Sequence, residues 1–225
     1  MLELINLPNG ACLEAKLDFP RSRGQQSKLA VCLHPWSWLG GRMDDPVLLS
    51  LLEPLENLGY YTLRFNSRGV GKSAGRASLT GFTEGKDLEF LVQWAIDKVG
   101  DVGSLVLIGY SHGSLIASLH PVLPTIKTSH VLISYPLGPR GWLTLFNSGT
   151  YTAKLREVVE TAKSNVLVLY GSEDEFTGAS RYKAWARDLE QISQGHLKVV
   201  EVDGSHFWRG QQGRRLTGAF LEWLS

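Results

Sequence analysis

Two cysteines in 225 residues, Cys12 and Cys32, are too few for a disulfide framework, and neither belongs to a CxxC pair or a cluster of metal ligands. Both fall in apolar, strand-like runs and read as small core residues, so no metal and no cofactor is expected. Charge imbalance is also missing. A formal net charge of +1 leaves no electrostatic case for nucleic acid or for an anionic membrane surface. No apolar run approaches the roughly 20 residues of a membrane-spanning helix. The opening MLELINLPNG has neither the basic start nor the apolar segment of a secretory leader. What is present is ordinary for a globular chain: 43% hydrophobic and 20% charged residues, enough to bury a full core. The expectation is a cytoplasmic protein in which residues 1–225 form a single domain. Its partner would be a small molecule, and the sequence specifies no oligomeric state.

The pattern of elements narrows the fold. LELINLPNGACLEAKLDF alternates on both sides of Asn9–Gly10, a dipeptide suited to a tight hairpin turn. After the polar loop RSRGQQSK comes LAVCLH, a near-continuous apolar run of the kind that marks a strand buried on both faces. Pro46 to Leu58 reads as a helix opened by Asp44 or Asp45 and closed by Gly59. YYTLRF is a further strand, and Thr80 to Val99 has helical spacing. The runs SLVLIG, HVLISY, NVLVLYG and LKVVEV are then strands, separated by helices from Ser111 to about His120, around Leu155 to Ala162, and from Arg181 to Ile192. Gln211 to Leu224 closes the chain as a helix. Strands alternating with helices after a hairpin imply an α/β fold, a mostly parallel twisted sheet with helices on both faces. Ligands of such sheets bind beyond the carboxyl ends of the strands.

GYSHG, residues 109–113, stands at such an end, between a strand and a helix. This is the G-x-S-x-G pattern in the context that gives it meaning: a serine on a sharp turn needs small residues two positions away on either side. The helix that follows aims unpaired N–H groups at any negative charge developing on the serine's substrate. Ser111 is therefore the candidate nucleophile. His112 is its neighbour but not its base, because adjacent helical residues point about 100° apart. Its backbone N–H is instead a candidate oxyanion donor. Of the six histidines, His120, His130 and His196 read as solvated loop or helix-end residues. His206, in DGSHFW, follows the last strand on the same edge as Ser111 and is the candidate base. An acid must orient that imidazole. Asp174 in GSEDEF is chosen, with Glu173, Glu175 and Asp203 as the rivals.

HPW, RFNSRGVGKSAG, GYSHG, GSEDEFT and GSHFW, taken together and in this order, resemble the α/β-hydrolase family over nearly the whole chain. The resemblance implies a sheet of about eight strands with the second antiparallel, and a triad of Ser111, Asp174 and His206. It also places a second oxyanion donor in the loop after the third strand, here LHPWSWLGG. Pro35 has no N–H, so the donor would be the N–H of Trp36. His34 reads as a residue that shapes this loop.

NSRGVGKS comes close to a nucleotide-binding P-loop, G-x-x-x-x-G-K-[ST], but Asn66 replaces the first glycine and Gly75 interrupts the helix that should follow. Nucleotide binding is not expected. Pro136 to Ser164 is the only segment available for a lid, so a minimal cap is expected. Trp38, Trp142, Phe146, Phe207 and Trp208 fall on carboxyl-edge loops and are candidates for an acyl pocket. With no charged cluster near the site, the acyl group is expected to be neutral and apolar. The reading that results is a serine hydrolase of carboxylic esters or thioesters working through an acyl-enzyme. The rivals are an amide, peptide or C–C bond hydrolase on the same fold, and a non-catalytic binding protein.

Overall fold

The computed structural model describes residues 2–22 and 24–224; Met1, Arg23 (within the expected polar loop 21–28) and Ser225 lie outside the described residues. In chain order the strands are β1 (Leu2–Asn6), β2 (Cys12–Asp18), β3 (Ser27–Leu33), β4 (Tyr60–Phe65), β5 (Val102–Tyr110), β6 (Lys127–Ile133), β7 (Asn165–Gly171) and β8 (His196–Val202). The helices are α1 (Pro46–Asn57), α2 (Phe82–Val99), α3 (His112–Ala117), α4 (Arg140–Leu143), α5 (Ser148–Glu160), α6 (Ala179–Ile192) and α7 (Gln211–Leu224), with a short 3-10 turn at Ser37–Leu39. The eight strands form one sheet in the order β1-β2-β4-β3-β5-β6-β7-β8. Only the β1/β2 and β2/β4 pairings are antiparallel, so β2 runs against the rest.

Sequence and sheet agree because the inner strands are buried on both faces. Alternate residues of β3 divide between two cores: Leu29, Val31 and Leu33 face one, Ala30 and Cys32 the other. Leu105 and Leu107 of β5 join the first, Val106 and Ile108 the second. Helices α2, α5 and α6 cover the larger core, while α1 and α7 cover the smaller. α1 begins where the sequence says it should: Asp45 accepts a hydrogen bond from the N–H of Val47 (2.9 Å), and Pro46 occupies the first turn, where its missing N–H costs nothing.

The turn at Asn9–Gly10 is looser than the expected two-residue hairpin. Leu7 and Ala11 close the loop through a 2.7 Å hydrogen bond, and only Gly10 (φ 79°) takes a left-handed conformation. This is a type I turn followed by a left-handed residue. The helix expected from Ser111 to His120 is also shorter, ending at Ala117, with turn bonds from Leu119 to Ile116 and from His120 to Ala117 tightening its exit. Among the described residues, no helix is long and apolar enough to cross a membrane. Because β4 and β5 lie on opposite sides of β3, the chain reverses direction across the sheet there. The carboxyl end of β5, where Ser111 stands, is beside this crevice.

Candidate active site

The serine sits at the elbow that its glycines require. Ser111 has φ 52° and ψ −119°, a region that an L-residue enters only when its surroundings hold it there. Its N–H donates to the carbonyl of Ile133 (2.8 Å), extending the β5–β6 ladder by one bond before the chain turns into α3. A Cβ at Gly109 would lie 2.4 Å from the carbonyl oxygen of Gly113, and one at Gly113 would lie 2.3 Å from that of Leu33. Both contacts are with backbone, so neither glycine has room to change.

His206 reaches this serine from the loop after β8. Its Nε2 lies 2.9 Å from Ser111 Oγ, and its Nδ1 lies 2.8 Å from Asp174 Oδ2. A carboxylate only accepts, so Nδ1–H donates to Asp174, leaving Nε2 to accept from the serine hydroxyl. Asp174 is buried, and its other oxygen accepts from the N–H groups of Phe176 and Thr177, both at 2.9 Å. The three residues chosen from sequence are thus within hydrogen-bonding distance in one line.

Two of the rival acids, Asp203 and Glu175, have other partners. Asp203 pairs with Arg215 at the surface. Glu175 accepts a hydrogen bond from the backbone N–H of His206 (2.9 Å), and the carbonyl of His206 accepts one from the Tyr110 hydroxyl (2.9 Å). Both polar groups of the histidine's main chain are therefore held by side chains next in sequence to Ser111 and Asp174. The sequence shows this only as the adjacency of Tyr110 and Glu175 to the motif residues. Burial, then the carboxylates of Asp45, Asp174 and Glu175, push the Tyr110 phenol well above its ordinary range, with Arg209 opposing them.

The two expected oxyanion donors, the N–H groups of Trp36 and His112, stand in the loop after β3 and directly after Ser111. His112 opens α3, so its N–H has no partner within the helix. Among the described residues neither N–H has an acceptor. The His112 ring points away from Ser111 into a small cleft shared with His34 and Asp87. Burial, and secondarily the nearby His34, lowers its pKa to about 4. His34 is buried, with its Nδ1 2.7 Å from the carbonyl of Pro35, and its Nε2 accepts from the N–H of Ser67 (3.0 Å). It shapes the loop, as expected.

A cavity of about 310 Å³ opens in front of Ser111 and His206, walled by Trp36, Leu39, Trp142, Phe176 and Phe207. Of the expected pocket residues, Trp142 and Phe207 line it. Three do not. Trp38 stacks on Trp36 (centroids 5.8 Å apart) and faces the neighbouring groove beside Arg68. Phe146 is 79% exposed, carried outward by left-handed backbone at Leu145 and Phe146. Trp208 packs into the smaller core, donating its indole N–H to Ser134 Oγ at 3.0 Å. Asp45 also lines the cavity, a placement that its role as a helix cap does not announce. His120 and His130 are not solvated: both are buried, and His130 lies within β6 with Nε2–H directed to the carbonyl of His120 (2.9 Å).

No family model matches the chain. An α/β serine hydrolase without a lid from Xanthomonas campestris has a closely similar structure, with a TM-score of 0.79 and 26% identity, covering 100% of this chain and 93% of that one. The chain has the α/β-hydrolase fold. A protein of unknown function from Agrobacterium tumefaciens shares this α/β-hydrolase architecture at a TM-score of 0.81 and 22% identity, over 100% of this chain and 94% of that one. An uncharacterised protein of Rickettsia prowazekii is 28% identical over 118 residues, 52% of this chain; the match spans about half (49%) of that relative's length.

Proposed function

We propose that this protein is a serine hydrolase that cleaves carboxylic esters or thioesters through an acyl-enzyme. One observation carries the reading: the unbroken hydrogen-bonded line from Ser111 Oγ through His206 to Asp174 at the mouth of an apolar cavity. In this reading His206 Nε2 takes the proton of Ser111 as Oγ attacks the acyl carbon. Asp174 fixes the Nδ1–H tautomer and stabilises the imidazolium. The N–H groups of Trp36 and His112 hold the oxyanion of the tetrahedral intermediate. His206 then returns the proton to the departing alcohol or thiol, leaving the acyl group on Ser111. Water, deprotonated by the same nitrogen, attacks that ester, and collapse of the second intermediate releases the acid and restores the serine. The likeness to a lidless serine hydrolase supports the reaction class.

A fluorophosphonate probe tests the assignment. It should label wild type at Ser111 and leave Ser111→Ala unlabelled. An acyl-chain series of p-nitrophenyl esters, thioesters and arylamides should show turnover of esters and thioesters that the same substitution abolishes. Turnover unchanged by Ser111→Ala removes the proposal, and turnover confined to arylamides moves the activity to amide bonds.

A further inference from the structure

The wall of the catalytic cavity carries a carboxylate that the triad does not use. Asp45 caps α1, accepting from the N–H groups of Val47 and Leu48, and among the described residues no cation pairs with it. Partial burial, which outweighs the cap bond, raises its pKa. Trp36, Trp142, Phe176 and Phe207 surround the same space with aromatic surface, with the rings of Phe176 and Phe207 meeting edge to face at 5.9 Å. A carboxylate with no salt-bridge partner, set among aromatic rings, is poorly matched to a neutral chain and opposed to an anionic one. It matches an organic cation, which ring faces attract through their quadrupoles and a carboxylate neutralises. Phe207 already meets one cation from outside, the Arg209 guanidinium, 5.4 Å from its centroid. The charges felt at Tyr110, on the cavity wall, are three carboxylates (Asp45, Asp174 and Glu175) against that one guanidinium. The nearby Arg140 acts instead on Tyr135, whose ring belongs to the core on the other sheet face.

We infer that the cavity selects esters or thioesters bearing an ammonium group, held by Asp45 and the aromatic walls, and rejects anionic ones. The inference rests on the proposed hydrolase reading. The test compares acetylcholine with 3,3-dimethylbutyl acetate, its uncharged carbon isostere, in wild type, Asp45→Asn and Asp44→Asn. Asparagine caps a helix as well as aspartate does, so α1 should survive the first change. The second removes an equal charge from a neighbour that faces Arg64 outside the cavity. Wild type and Asp44→Asn should favour the choline ester about 10-fold in kcat/KM, and Asp45→Asn should bring the ratio close to one. A wild-type ratio near one, or a ratio that Asp45→Asn leaves in place, overturns the inference.

Fluorophosphonate labelling supplies a second readout that needs no substrate. Phenyltrimethylammonium should slow labelling of wild type, and slow that of Asp45→Asn far less. Labelling that proceeds at an unchanged rate in its presence defeats the cation site while leaving the hydrolase intact. Absence of both labelling and Ser111-dependent turnover defeats the hydrolase reading, and this inference with it.

Discussion

Tyr110→Phe isolates how far the placement of His206 depends on its main chain. The substitution keeps the ring, whose burial anchors the end of β5, and deletes only the hydroxyl that donates to the His206 carbonyl at 2.9 Å. His206 is buried, so its carbonyl is left without that donor, at a cost of about 1–3 kcal/mol. For a chain of 225 residues that corresponds to a fall in Tm of about 2–4 °C per kcal/mol. The kinetic consequence is separate. Ser111 and Asp174 meet the imidazole at 2.9 and 2.8 Å, and a 1 Å displacement of such a group costs on the order of 10²-fold. The expected kcat for a p-nitrophenyl ester is about 10-fold to 100-fold lower, with KM nearly unchanged because the cavity wall keeps its aromatic ring. Glu175→Ala removes the opposite tie, from the His206 N–H, and should act in the same direction. Glu175→Gln retains an acceptor oxygen and should recover most of the loss. The double variant should depart from additivity, because both bonds hold one residue. If Tm falls by this amount while kcat of Tyr110→Phe, Glu175→Ala and the double variant stays within about 2-fold of wild type, the ties serve only the fold and the positioning argument is wrong.

Three further outcomes follow from the same contacts. Gly113→Ala places a methyl group 2.3 Å from the Leu33 carbonyl oxygen and 2.7 Å from that of His34, so both ester turnover and Tm should drop sharply; wild-type behaviour in either would show that the elbow can shift freely. Trp208→Phe loses the bond to Ser134 that anchors the His206 loop, and chemical denaturation should show a stability loss of about 1–3 kcal/mol; no loss would mean that the indole N–H finds another acceptor. His130, buried, has a pKa lowered by desolvation to about 4, against an unfolded value near 6.5. Between those values the unfolded chain binds a proton that the folded one refuses, so stability should fall as pH drops through this window, by up to about 1.4 kcal/mol per pH unit; His130→Gln should flatten the slope, and an unaltered slope would refute the assignment.

Much of the fold is legible because both faces of the inner strands are buried, which turns them into apolar runs that no surface helix would show. The hydrogen-bonded set of Ser111, His206 and Asp174 is legible because each of the three lies just beyond a strand, and a parallel sheet brings those ends to one edge. Misreadings arise where a polar or aromatic residue lies near an element boundary. His130 opens the expected strand HVLISY, but β6 begins at Lys127, so the ring lies inside the sheet and not at its entry. Trp208 sits on the same loop as His206 yet turns the other way, because left-handed backbone at Trp208 (φ 51°) and the bond to Ser134 direct it into the core. Asp45 shows in sequence as a helix cap only. The residue also borders a space built by loops from distant parts of the chain, and local spacing carries no record of that enclosure.

The glycine-rich segment shows how a phosphate-loop pattern can serve the neighbouring loop after β3 instead. The position an incoming anion would take is filled by the protein's own carboxylate: Glu14 Oε2 accepts from the N–H of Lys72 and from the side chain of Asn66, both at 2.8 Å. The Lys72 N–H, followed by the Asn66 amide, keeps the Glu14 carboxyl below its ordinary range, which fits a charge already provided for. Gly71 (φ 57°) is required because a Cβ there would lie 2.3 Å from that oxygen. Arg68, which might have met a phosphate in a nucleotide site, is committed to both oxygens of buried Asp87 at 2.6 and 2.7 Å. With the loop fixed in this way, the N–H of Ser67 is free to donate to His34 Nε2, which leaves Nδ1–H to meet the carbonyl of Pro35. Orientation of the Pro35–Trp36 peptide follows, and with it the direction of the Trp36 N–H. The absence of a first glycine at Asn66 therefore has a positive reason: the asparagine side chain joins Glu14 to the N–H of Met43, and a glycine there would release the loop that sets the direction of the Trp36 N–H.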